Sequence, residues 1–91
     1  MKIVINICFG GFGLSSIGEI EYLNRSGVDV ASVWDISRTD PILVAMVKEN
    51  SKLYSGSFSQ LKVVEIPDDV DWKISDYDGQ EHIAEKHRTW A

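Results

Sequence analysis

Residues Phe9 to Ser16, FGGFGLSS, follow directly on the apolar run KIVINIC. A loop of this kind at a strand-to-helix junction is competent to hold an anion. Glycines let the backbone approach a ligand and adopt positive φ, and a helix N-terminus aims N–H groups and the positive end of a dipole at one point. Phe9, Gly10, Gly11, Phe12, Gly13, Ser15 and Ser16 are therefore the first candidate ligand residues, with amides and hydroxyls for a phosphate and rings for a base. The stretch lacks the Lys-Ser/Thr of a P-loop, the full GxGxxG spacing and a GxSxG nucleophile elbow. A tight connection in which Ser16 merely caps the next helix is the competing account.

The second cluster lies in EHIAEKHRTW, where His82, Lys86, His87, Arg88 and Trp90 bring cations and a ring together. Arg88 suits a phosphate or carboxylate as a bidentate donor, and Trp90 offers a stacking plane. Alternatively, His82 and Trp90 close the core while Arg88 pairs with the acidic run from Asp68 to Glu81. Arg38, in SRTDP just ahead of a helix start, is the third candidate: it projects beside the first loop or forms a surface ion pair. His82 and His87 would be the minimum equipment for general acid–base work. No CxxC or HExxH spacing joins Cys8, His82 and His87 into a metal site, so no metal or other cofactor is expected. Cys8 reads as a small core residue rather than a nucleophile.

The elements that must position these groups follow from periodicity and punctuation. KIVINIC is a near-continuous β-branched run, as suits a strand covered on both faces. SSIGEIEYLNRSG reads as a helix with Ser16 and Glu19 as a capping box, Gly27 as its stop, and Ile17, Ile20 and Leu23 as its apolar stripe. VDVASVW is a short second strand with Trp34 inward. SRTDPILVAMVKENSK is the clearest helix, with Asp40 at N-cap and Pro41 at N1, and apolar enough to be largely buried. LKVVEIP is a strand, and WKI with SDYDG a short return strand forming a hairpin with it. GQEHIAEKHRTWA is expected to be a closing helix. The order predicts a single domain over 1–91 of α/β or α+β class: one sheet of three to four strands with two to three helices packed on it.

Three blocks, MKIVINICFGGFGLS, SRTDPILV and LKVVEIPDDVDWKISDYDGQEHIAEKHRTW, cover well over half the chain. Together they resemble a family of small proteins encoded by bacteriophages and prophages. Members of that family often have a longer stretch between the first helix and the RTDP segment. The resemblance implies an accessory protein made inside a bacterial cell, and it transfers no catalytic or binding residue.

Composition narrows the function. Nine Lys and Arg against fourteen Asp and Glu give a net charge of −5, which argues against double-stranded nucleic acid as a partner because that binding relies on neutralising phosphates. A locally positive pocket remains compatible with an acidic chain. The single cysteine excludes an intrachain disulfide and fits a reducing cytoplasm. MKIVINIC is too short and strand-like for a signal peptide and no apolar run approaches membrane-spanning length, so no membrane association is expected. A chain of 91 residues has a thin core, and a homo-oligomer is the expected assembly. The leading expectation is a non-catalytic protein that sequesters an anionic, nucleotide-derived signal molecule and so counters host immunity. The alternatives are an inhibitor or adaptor meeting a basic host protein through its acidic stretch, and a small nucleotide phosphodiesterase.

Overall fold

The computed structural model describes residues 1–28 and 36–85. Six elements follow in chain order: β1 (Lys2–Asn6), α1 (Ser16–Ser26), α2 (Pro41–Tyr54), β2 (Leu61–Glu65), β3 (Trp72–Tyr77) and β4 (Gln80–Glu85). Among the described residues the fold is α+β, with two helices and two antiparallel two-stranded sheets, β1–β2 and β3–β4. The single larger sheet expected from the sequence is not formed by these strands. Of the strand expected over 28–34, all but Val28 lies outside the described residues, as does everything from Lys86 onward.

β1 behaves as its composition demands. Ile3, Val4, Ile5 and Asn6 are all buried, so both faces of the strand are covered. One edge pairs with β2, Val4 opposite Val63. On the other edge the Val4 amide donates to the Arg38 carbonyl at 2.8 Å, and the Asn6 amide donates to Glu81 Oε1 at 2.9 Å. A loop carbonyl and a carboxylate thus stand where a further strand would.

α2 starts where expected. Asp40 Oδ1 accepts from the amides of Ile42 and Leu43, and Pro41 occupies the first turn. Leu43, Val44, Met46, Val47 and Tyr54 are buried and form the main core with Val4, Phe12, Leu14, Tyr22, Ile36 and Leu61. α1 departs from expectation in two ways. Its N-cap is Ser15, whose hydroxyl accepts from the Gly18 amide, so Ser16 is the first helical residue and the Ser16–Glu19 capping box does not form. Its apolar stripe also faces outward: Ile17, Ile20 and Leu23 are 54%, 60% and 40% exposed, while Gly18 and Tyr22 are buried. The reason is the close approach of α2. A Cβ on Gly18 would lie 2.8 Å from the Tyr54 carbonyl oxygen, so only a glycine face fits there. Tyr22 reaches Asp40 Oδ2 at 2.8 Å and ties the two helices together.

The C-terminal half is the larger correction. Residues 80–85 are a strand rather than the start of a helix, and β3 pairs with β4 rather than with β2. Asp78 and Gly79 make the two-residue turn with φ of 51° and 88°, the positive values a type I′ hairpin turn requires at both positions. An Asp-Gly pair is a strong hairpin signal, and it outweighs the helix-forming residues that follow.

Candidate functional site

The first loop sits where three turns meet. Gly10 lies against Phe58 so tightly that a Cβ there would fall 1.9 Å from the Phe58 carbonyl oxygen. On its other side the hairpin turn presses in, and a Cβ on Gly79 would be 2.6 Å from both the Phe9 oxygen and the Gly11 nitrogen. Gly13 accepts from the Gly56 amide at 2.9 Å. Of the loop's glycines, Gly10 is thus accounted for by close backbone packing, whereas a Cβ on Gly13 would meet only Ser59 Oγ at 3.4 Å. Gly11 differs: its φ is 94° and nothing lies within 4 Å of the Cβ it lacks, so it is required by conformation and faces open space.

Asn6 is the hub of this junction. It is the polar residue of an otherwise apolar run, it is 0% exposed, and its side chain is fully bonded. Nδ2 donates to the carbonyls of Cys8 at 2.6 Å and Gly79 at 2.7 Å. Oδ1 accepts from the amides of Cys8 at 3.2 Å and Gln60 at 2.8 Å. One amide side chain therefore gathers the end of β1, the start of β2 and the β3–β4 turn. Buried polar groups persist only when bonded in this way.

Beside it, Arg38 and Glu81 form a bidentate pair, with Nη1 donating to Oε1 at 2.6 Å and Nη2 to Oε2 at 2.8 Å. The Glu81 side chain is 5% exposed and that of Arg38 15%. Arg38 also donates to the Val4 carbonyl at 3.2 Å, and its guanidinium lies over the Phe12 ring, 3.6 Å from the centroid. Burial works to raise the Glu81 pKa, but the Arg38 hydrogen bonds, the Asn6 amide and the Arg38 charge outweigh it and hold the carboxyl below its ordinary range.

Compared with protein-family models, with curated proteins and with solved structures, the chain matches none.

The candidates from the sequence are thus distributed unevenly. Phe12 and Arg38 do meet, as the anion reading required, but the buried Glu81 carboxylate already occupies the N–H edge of the guanidinium that would hold an anion. Ser15 is committed inside the fold: its hydroxyl donates to the Leu53 carbonyl at 2.7 Å while accepting from Gly18. Phe9 is 62% exposed at the rim, and Phe58 and Tyr77, on the two adjoining turns, are 76% and 71% exposed. Ser16 is exposed at the first turn of α1. His82 is exposed on β4, opposite Ser75. Lys86, His87, Arg88 and Trp90 lie outside the described residues. Cys8 is half-buried with a free thiol. Among the described residues no group of three or more His, Cys, Asp or Glu is placed to hold a metal ion, and no helix is long and apolar enough to cross a membrane.

Asn6 and Glu81 were not singled out by residue chemistry. Asn6 had a signal, as the one polar side chain in a strand read as buried. Glu81 had none, being one of many carboxylates in an acidic stretch.

Proposed function

We propose that this chain is a non-catalytic binding protein of phage origin, acting in the bacterial cytoplasm by holding a host component rather than converting it. A protein partner is the class the geometry supports best. The supporting observation is the outward row of Ile17, Ile20 and Leu23 on α1, 54%, 60% and 40% exposed, on the side of the helix away from α2. Adjacent exposed apolar side chains on one helix face are the form in which helices dock into a partner's groove. The exposed acids Asp69, Asp71, Asp76 and Asp78 add a negative field that steers a basic partner and makes the encounter salt-sensitive.

Affinity capture from a bacterial lysate, run with the wild type and with Ile17→Glu/Ile20→Glu, tests this. The expected result is a stoichiometric partner retained by the wild type and lost by the variant at unchanged melting temperature. Equal capture by both forms removes α1 as the docking face. Light scattering of the same two forms separates a second copy of this chain from a foreign partner.

Sequestration of a nucleotide-derived signal keeps one specific support. Phe9 and Phe58 are exposed rings on adjoining turns, next to the open space at Gly11, which is where a base would stack. Its test is thermal stabilisation by a panel of cyclic and ADP-ribose-type nucleotides, lost in Phe9→Ala; no stabilisation across the panel rejects it.

A further inference from the structure

One cleft lies away from the three-turn junction. It measures about 550 Å³ and opens where the start of β1 and the end of β2 pass beside the first half of α2. Pro41, Val44 and Ala45 give it an apolar wall, and Lys2, Lys48 and Glu65 supply its charges. Lys2 and Glu65 are register partners across β1 and β2. Lys48 comes from α2 and lines the same cleft as Lys2.

Two like charges brought together without a bridging group repel each other, and the described fold contains one carboxylate in the cleft to set against them. The other nearby charges are committed elsewhere. The α-ammonium of Met1 pairs with Asp68 at 2.5 Å. The Asp40 carboxylate caps α2 and accepts from Tyr22. Among the described residues the cleft thus keeps an excess of one positive charge, in a chain whose net charge is −5.

We infer that the Lys2–Lys48 cleft binds a small organic anion: a phosphate or carboxylate head held between the two ammonium groups, on an apolar or aromatic body laid against Pro41, Val44 and Ala45. An anion between the lysines turns a repulsive pair into two charge-assisted hydrogen bonds. The state of Lys48 fits such a site. Its pKa is lowered by the hydrogen bond and charge of Lys2, with desolvation adding to the effect and Glu65 opposing it. The site is independent of the α1 docking face.

Phenyl phosphate and benzoate are the probes, benzyl alcohol the neutral control, and amide chemical shifts of the labelled full chain the readout. The expected result is saturable shifts at Lys2, Ala45 and Lys48 with an anion and not with the alcohol. Lys48→Gln and Lys2→Gln should each weaken the affinity about tenfold, a loss of one good charged contact, while Lys62→Gln on the exposed side of β2 and Ile20→Glu leave it unchanged. Response to phenyl phosphate alone assigns a phosphate head, to benzoate alone a carboxylate, and to both a general anion site; each supports the inference. It is overturned if neither anion shifts these residues, if benzyl alcohol shifts them equally, if the shifts centre on Gly11 and Phe12, or if both lysine variants bind like the wild type.

Discussion

Asn6 bonds four backbone groups from three separate segments with no exposure to water, and no other side chain of its size can do so. Asn6→Ala leaves the Cys8 and Gln60 amides and two carbonyls without partners. At roughly 1–3 kcal/mol for each unsatisfied buried group, partly relieved by water entering the gap, the expected loss is about 3 kcal/mol in urea unfolding. A variant within 0.5 kcal/mol of wild type would show that the junction is held by packing alone. Glu81 makes a second prediction at this scale, with a pH sign. Its folded pKa lies below the ordinary glutamate value of about 4.5, so the pair contributes fully above that pH and is lost as pH falls through the lower, folded value. Glu81→Gln should cost about 3 kcal/mol at pH 7, because it removes one charge of a largely buried bidentate pair. It should also flatten the fall in stability between pH 5 and pH 3, which a series of urea titrations across that range measures.

At the scale of elements, α1 shows local preference and tertiary packing opposed. Gly18→Ala improves helix propensity by about 1 kcal/mol on its own, yet its methyl would sit 2.8 Å from the Tyr54 carbonyl oxygen and 3.3 Å from Tyr54 Cα. The variant is expected to be less stable than wild type, and a raised melting temperature would mean that α1 can move off α2 at little cost. The same opposition explains what could be seen in the sequence beforehand. β1 and α2 were legible because their signals are local: a β-branched run, an Asp-Pro start and a surplus of apolar residues. The direction of α1's stripe was not, because the Ile17–Ile20–Leu23 spacing states that one face is apolar and says nothing of which face meets α2. β4 was misread because Gln, Glu and Ala weigh toward helix, whereas the Asp78–Gly79 turn carries the topological information in two residues. Of the candidate site, a place beside the first loop was one of two that the position of Arg38 allowed, the other being a surface ion pair; the guanidinium lies over Phe12 and pairs with the buried Glu81. Its neutralisation by Glu81 depends on a pairing 43 residues apart that no spacing rule reports.

For the whole molecule, 48 × 26 × 23 Å in extent, the β3–β4 hairpin is joined to β1 at its turn end through Gly79 and Glu81. Loosening that joint is expected to release the hairpin before the core. In Glu81→Gln, amide hydrogen exchange should speed up across residues 72–85 while β1 and β2 keep their protection; uniform acceleration would instead mean that hairpin and core open as one unit. The joint also sets a timetable for synthesis. Asn6 finds its partners 54 residues further on at Gln60 and 73 further on at Gly79, and its own amide waits 75 residues for Glu81. At roughly 5–20 residues per second of elongation, the first strand leaves the ribosome several seconds before the groups that complete it exist. A nascent chain halted anywhere short of the hairpin turn therefore carries an apolar strand with unmet donors, exposed to any neighbouring chain.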